Sequence, residues 1–221
     1  MADPVKMKAE LATAAIERAH TLASKYYVDA AWHRRECERI FWRTWQCVGW
    51  RDQVQNAGDY FTFDLCNEPL LITRHVEGTL RGFYNVCRHR AGPVAEDCGS
   101  RKVFRCGYHG WTYGLDGRLL NAPEMEGTCD FAYGDFGLRP VQAAEWGGLV
   151  FVNLDMSAEP LPAALGELPQ QTAKFDLERM QFYKRHDYVM ECNWKVYIDN
   201  FLEGYHLPSV HPSLNRELDY S

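Results

Sequence analysis

Cys87-Arg88-His89-Arg90-Ala91-Gly92 and Cys106-Gly107-Tyr108-His109-Gly110-Trp111 are two clips of one pattern, with sixteen residues between His89 and Cys106. Each clip supplies one thiolate and one imidazole. A Cys-x-His and a Cys-x-x-His across a loop of this length suit a Rieske [2Fe-2S] centre, in which one iron takes both cysteines and the other both histidines. A structural zinc ion also accepts two Cys and two His, in a tetrahedron. Two features favour the cluster. Zinc-finger clips pair Cys with Cys and His with His, whereas each clip here is mixed. Each clip also runs into a glycine, Gly92 and Gly110, and backbone that must approach cluster sulfurs closely has use for Gly.

Working outward, both clips follow strand-like runs, so a small all-β scaffold has to bring two loops together. Gln46–Trp50, Tyr60–Leu65, Leu70–His75 and Leu80–Val86 read as short strands, with turns expected at Asn67-Glu68 and Glu77-Gly78. Lys102–Arg105 leads into the second clip, and Trp111–Tyr113 and Arg118–Leu120 flank an Asp116-Gly117 hairpin signal. Asn121–Phe136 reads as a long loop. Leu138–Ala144 and Leu149–Leu154 then form a hairpin across Trp146-Gly147-Gly148. Upstream, a weakly helical Ala-rich stretch with Leu11, Ile16 and Leu22 precedes Asp29, which can cap a helix over Ala30–Trp45. Trp32, Ile40, Phe41 and Trp45 on that helix are expected to pack onto the following domain. Past Asp155, Pro160, Pro162 and Pro169 punctuate a boundary segment, and Gln181–Met190 reads as a strand opening a second unit. The expected organisation is an N-terminal helical segment over 1–45, a cluster domain over 46–155, and a linker with the beginning of another domain over 156–221.

At 221 residues the chain has room for one large or two modest domains, and 46% hydrophobic with 24% charged residues is ordinary globular composition. A net charge of -6 without Lys/Arg runs argues against nucleic acid as a partner. No apolar leader and no window long enough to span a bilayer is visible, so the expectation is a cytoplasmic protein with no membrane association. Of eight cysteines, Cys37, Cys47, Cys66, Cys98, Cys129 and Cys192 lie outside the clips and read as inert free thiols in a reducing compartment.

A second constellation lies near the end of the chain. Cys192–Tyr205 has helical spacing, with Trp194, Ile198, Phe201, Leu202 and Tyr205 on an apolar side and Asp199, Glu203 and His206 on the other. Pro208 is expected to end this helix, and His211-Pro212 follows. Two imidazoles from a helix end and its exit loop begin a two-His-one-carboxylate site for non-haem iron. His-x4-His alone is weak evidence, since such histidines are commonly surface or hydrogen-bonded residues. The upstream cluster strengthens it, because an oxygenase iron needs an electron donor.

At this point the sequence resembles the large (alpha) subunits of Rieske non-haem iron oxygenases. The resemblance rests on both clips and on Asn193-Trp194-Lys195 through Asp199-Asn200-Phe201-Leu202-Glu203-Gly204-Tyr205-His206 to His211-Pro212. Asp-Asn-Phe-Leu-Glu-Gly-Tyr-His looks most like the branch of choline and carnitine monooxygenases and related demethylases. The resemblance implies an α+β fold: a mainly β Rieske domain preceded by a helix and followed by the start of an α+β catalytic domain. It implies Cys87, His89, Cys106 and His109 as [2Fe-2S] ligands and His206 and His211 as ligands of mononuclear Fe(II). Glu203 stands where the family has a bridging carboxylate, usually Asp, linking the iron to the Rieske histidines of a neighbouring subunit, typically in a trimer. Implied partners are a reductase drawing on NAD(P)H, with or without a ferredoxin between, O2, and a small organic substrate. The implied reaction is hydroxylation leading to demethylation, or ring dihydroxylation.

Two departures stand out. Respiratory-type Rieske proteins carry an extra Cys in each cluster loop; Cys98 lies between the clips, but the second clip offers no partner. The family's third iron ligand, an Asp well beyond His211, has no counterpart, and Asp219 lies too near His211 to match. The expectation is therefore an alpha subunit represented by its N-terminal part, binding mononuclear iron weakly and turning over little substrate. Two other classes stay open on residues alone: a Rieske electron-transfer protein of ferredoxin type, and a zinc-stabilised interaction module.

Overall fold

A computed structural model of the chain describes residues 16–18 and 20–218. Leu11 of the Ala-rich stretch and Asp219 lie outside the described residues. Over those residues the chain separates into two compact units, Met1–Glu36 with His186–Ser221, and Cys37–Arg185.

The Cys37–Arg185 unit is built on antiparallel β structure. Its strands are β1 (Gln46–Trp50), β2 (Asp59–Leu65), β3 (Glu68–Arg74), β4 (Leu80–Tyr84), β5 (Cys98–Ser100), β6 (Phe104–Arg105), β7 (Thr112–Tyr113), β8 (Leu119–Asn121), β9 (Pro140–Trp146) and β10 (Leu149–Asn153). They form a seven-stranded sheet, order β1-β10-β9-β4-β3-β2-β5, and a three-stranded sheet, order β6-β7-β8. Strand β3 shows why its sequence is nearly continuous in apolar residues. Leu71 faces a core with Tyr60, Phe83, Phe104 and Tyr113, while Leu70 and Ile72 face another with Val48, Phe61, Val150 and Val152. A strand covered on both faces has no solvent side to mark by alternation. Cys87 and Cys106 belong to the first of these cores.

Turn chemistry sets the hairpin registers. Gly147 and Gly148, at φ +60 and +78, close β9 and β10 with Trp146 opposite Leu149, as expected. The β2–β3 turn falls one residue earlier than Asn67-Glu68. Leu65 pairs with Glu68, and Cys66 and Asn67 form the turn at φ +52 and +68. Asn tolerates the left-handed conformation far better than Glu does, so this register places Asn67 where both turn residues need positive φ.

Three other expectations change. Asp29 caps as read, its Oδ1 accepting from Ala31 N at 2.8 Å. However, the α-helix covers only Ala30–Glu36 (α1), and Cys37–Phe41 is a π-helical turn. The wider turn re-aims the chain, and Phe41 and Trp42 pack against the core around Val48 and Phe61. Gln181–Met190 forms no strand; it pairs with nothing in the sheets, and Tyr183 and Val189 are each 95% exposed. Strand propensity without a partner edge does not make a strand. The helix expected over Cys192–Tyr205 is limited to Trp194–Phe201 (α2), with Asn193 Oδ1 accepting from Lys195 N at its start. Pro208, expected as a terminator, sits in the first turn of a short helix, Leu207–Val210 (α3). That position tolerates Pro because its missing N–H has no partner there anyway.

In the other unit, Glu36 at the end of α1 is buried and accepts a hydrogen bond from Trp194 Nε1 at 2.9 Å. Lys195 pairs with the same carboxylate and donates to Asn193 Oδ1 at 2.7 Å. Burial pushes the Glu36 carboxyl up, but the Lys195 and Trp194 hydrogen bonds outweigh it and hold the group below its usual range. Tyr27 Oη donates to Asp199 Oδ2 at 2.7 Å, which raises the Tyr27 hydroxyl. Residues 156–185, read above as linker, lie in the Cys37–Arg185 unit: Glu178 bonds Arg51 at 2.9 Å, and Asp52 Oδ2 accepts from Phe182 N at 2.9 Å. No helix among the described residues is long and apolar enough to cross a membrane.

Candidate metal centres

The two clips fold into loops closed by the same pair of backbone hydrogen bonds. Cys87 O accepts from Ala91 N at 3.0 Å and Cys87 N donates to Gly92 O at 2.8 Å. Cys106 O accepts from Gly110 N at 3.0 Å and Cys106 N donates to Trp111 O at 2.9 Å. Each loop therefore needs a left-handed residue four places after its cysteine. Gly110 meets this at φ +73 and Ala91 at φ +59, so the glycine of the first clip is not its turning point. Gly92 serves close approach instead, since a Cβ there would sit 3.3 Å from Cys106 Sγ. The loops hang from different sheets, the first beyond β4 and the second between β6 and β7.

Cys87 and Cys106 are each only 3% exposed, whereas His89 and His109 are exposed. The two imidazole rings pair with centroids 4.6 Å apart at 65°. His89 also stacks on Trp111, centroids 4.9 Å apart at 9°. Partial burial, followed by the charges of His109 and Arg90, pulls the His89 pKa down and favours the neutral imidazole that metal ligation requires. An open cleft of about 760 Å³ is lined by His89, Cys106, Tyr108, His109, Trp111 and Met125.

Residues that the sequence did not mark support these loops. Asn85 Oδ1 accepts from Val94 N at 3.0 Å and Ala95 N at 3.1 Å, and its Nδ2 donates to Ala95 O at 2.8 Å. This bonding ties the return of the first loop to the end of β4. Tyr113, fully buried, has its Oη 3.2 Å from Cys87 Sγ and accepts from Arg88 N at 2.9 Å. Burial first, and then the Cys87 contact, hold the Tyr113 hydroxyl protonated far above neutral pH. Neither residue carries a local signal, because each acts on a partner elsewhere in the chain. Arg88 Nε is buried with no hydrogen-bond partner among the described residues.

Among the described residues, no group of three or more His, Cys, Asp and Glu side chains converges to hold a single metal ion. The four clip residues divide instead into an inner pair of thiols and an outer pair of imidazoles. That donor set fits a [2Fe-2S] group with two protein ligands on each iron.

The second constellation lies in the other unit. His206 and His211 rings are 5.4 Å apart at 77°, and His206 Nδ1 is 2.5 Å from Glu203 Oε1. Glu203 also accepts from His206 N at 3.2 Å, and these bonds hold its carboxyl below the usual range. Glu203 follows α2 rather than riding on it, so the expected convergence with His206 arises in the turn before α3. The imidazole–carboxylate pair has the form that orients a metal-ligating histidine.

Buried thiols below exposed imidazoles, on two loops of an antiparallel sheet body, define an iron–sulfur protein of Rieske type. The Rieske [2Fe-2S] domain family matches residues 44–138, and the ring-hydroxylating alpha subunit catalytic domain family matches residues 177–221. The chain belongs to the Rieske non-haem iron oxygenase alpha subunits, whose cofactors are a [2Fe-2S] cluster and a non-haem iron. The second match sets aside the ferredoxin-type reading, and the first sets aside zinc.

Among curated relatives, the chain is 38% identical to the chloroplastic choline monooxygenase of Beta vulgaris, covering 92% of this chain and 47% of that protein. It is 32% identical to the carnitine monooxygenase oxygenase subunit of Escherichia coli (strain K12), covering 90% and 54%. Among solved structures, the quaternary ammonium Rieske monooxygenase CntA in complex with L-carnitine superposes with a TM-score of 0.83 at 29% identity, covering 89% of this chain and 56% of that one. The naphthalene 1,2-dioxygenase from Rhodococcus sp. superposes with a TM-score of 0.78 at 30% identity, covering 89% and 47%. The chain spans about half the length of the curated relatives it matches.

Proposed function

We propose that this chain is part of an oxygenase component that hydroxylates a small quaternary ammonium compound, the class acted on by its choline and carnitine monooxygenase relatives. The observation that carries the reading is the pairing of exposed His89 and His109 over buried Cys87 and Cys106, in a chain that also bears Glu203, His206 and His211. Cys87 and Cys106 would hold one iron of the cluster, His89 and His109 the other, and His206 and His211 the mononuclear Fe(II). When bound, the two groups supply one-electron transfer and O2 activation respectively. The chain's own residues do the rest. Cys87 and Cys106 keep the thiolate side away from water, and the histidines present the imidazole side to a partner. Tyr113 donates toward Cys87, and Glu203 fixes the His206 ring through Nδ1. A reductase drawing on NAD(P)H would feed the centre. A trimer, in which Glu203 meets the Rieske histidines of a neighbouring copy, would complete the route.

Anaerobic purification tests the reading: two iron and two acid-labile sulfide per chain are expected, with weak binding of further Fe(II) that His206→Ala abolishes. His89→Cys or His109→Cys should lower the reduction potential strongly, because imidazole ligation raises it. An unchanged potential would sink the ligand assignment. Fe(II) binding that ignores His206→Ala would sink the mononuclear site.

A further inference from the structure

Trp111 belongs to the second clip by its backbone and to the first by its ring. Its carbonyl closes the second loop on Cys106 N, while its indole, 2% exposed, lies parallel to the His89 imidazole with centroids 4.9 Å apart at 9°. The indole is itself braced. Phe131 and Phe136 each meet it edge-on at 5.7 Å, at 67° and 85°, and tilt against each other at 4.7 Å. Both phenyl rings come from the segment after β8. Left-handed residues Glu124, Gly127 and Asp130 turn that segment, Tyr133–Phe136 forms a 3₁₀ turn, and Leu138 N donates to Gly117 O at 2.8 Å beyond it. Among the described residues His109 has no such wall. Apart from His89, its ring meets Tyr108, the preceding residue, at 3.9 Å and 38°, and Tyr108 is 66% exposed. The two outer imidazoles are therefore held unequally, one against buried aromatic rings and the other against a side chain in solvent.

We propose that Trp111 is the positioning residue that fixes the plane of the His89 ring for the iron, and that the segment carrying Phe131 and Phe136 acts on His89 through it. The inference rests on the reading of His89 as an iron ligand. The last torsion of a histidine side chain is broad, with no sharp staggered minimum of its own, so whatever packs on the ring chooses its plane. A ligating imidazole is usually oriented by a hydrogen bond at its other nitrogen, as Glu203 does for His206. Among the described residues neither ring nitrogen of His89 has a hydrogen-bond partner, and the stack on Trp111 takes that place. A stack of this kind favours one ring plane by roughly two- to tenfold. Tilting the His89 ring means pressing on an indole that Phe131 and Phe136 keep from yielding, in an interior with little room to give. A segment that bears no ligand thereby reaches the iron site.

The test is pulsed EPR on the whole chain, loaded with its iron–sulfur group and reduced with dithionite. The parent should show two sharp imidazole nitrogen couplings, one lost in His89→Cys and the other in His109→Cys. Fewer than two in the parent would overturn the ligand reading, and this inference with it. In Trp111→Leu the His89 coupling should broaden while the His109 coupling stays sharp. Trp111→Phe, which keeps a smaller ring, should fall between the parent and Trp111→Leu. Phe131→Leu should broaden the His89 coupling as well, from a residue that meets Trp111 but neither histidine ring. Iron and sulfide content shows which variants load; if Trp111→Leu does not, Trp111→Phe and Phe131→Leu carry the decision. Two sharp couplings in the loaded variants would show the stack to be packing alone and overturn the inference. Equal broadening of both couplings would make Trp111 a general support of the core, and overturns it too.

Discussion

Tyr113 lies 26 residues from Cys87 in sequence and 3.2 Å from it in space. A hydroxyl donating to a cluster-bound sulfur favours the reduced, more electron-rich state. Tyr113→Phe keeps the ring that fills the core and removes only that bond. The expected result is a lower reduction potential, by roughly 40 mV if the bond differs between redox states by about 1 kcal/mol. A spectroelectrochemical titration that leaves the potential unchanged would show the contact to be packing alone. At this scale the candidate ligands were legible and the residues beneath them were not. Cys87, His89, Cys106 and His109 announce themselves through spacing and residue type. Asn85 and Tyr113 act on backbone and sulfur brought near only by the fold, and nothing local separates them from any other Asn or Tyr.

Among elements, the junction of α1 with α2 rests on a buried ion pair, Glu36 with Lys195, whose side chains are only 7% and 13% exposed. Removing one partner leaves the other charge buried and unpaired. Lys195→Met should therefore cost about 3 kcal/mol at neutral pH, read from urea midpoints. The sign of its pH dependence follows from Glu36. In the native chain its carboxyl is held below the ordinary value of 4.5, so the pair's contribution is present above that pH and is lost as pH falls through the lower folded value. In Lys195→Met the Lys195 bond and charge are gone, and burial pushes Glu36 up against only the Trp194 bond and the His33 charge. The deficit should thus be largest above pH 4.5 and shrink in acid; a constant gap across that range would show that Glu36 is not the group involved. Elements defined by turn chemistry, such as the Gly147-Gly148 hairpin, were readable from sequence. The Gln181–Met190 segment was misread because propensity is local and pairing is not. The early end of α2 belongs with it: periodicity continues through Tyr205, while backbone hydrogen bonding stops at Leu202.

In the molecule as a whole, the unit that carries His206 and His211 shows Phe201, Leu202 and Tyr205 at 76%, 79% and 88% exposed. A face this apolar attracts hydrophobic dyes and copies of itself. The isolated chain should bind anilinonaphthalene sulfonate in its native state and grow in light scattering with concentration. A monodisperse, dye-silent sample would show that the face is covered in solution. The sequence had marked these residues as one side of a helix without showing what they pack on, since amphipathicity names a face and not its occupant. The Cys37–Arg185 unit differs in this respect, because its two loops are suspended from two sheets whose side chains share one core. The span between the jaws is set by that core rather than by either loop. A cofactor gripped in this way would work as a strain gauge: trimming Phe104 or Leu71, in the core from which both loops hang, would register as a change in colour before it registered as unfolding.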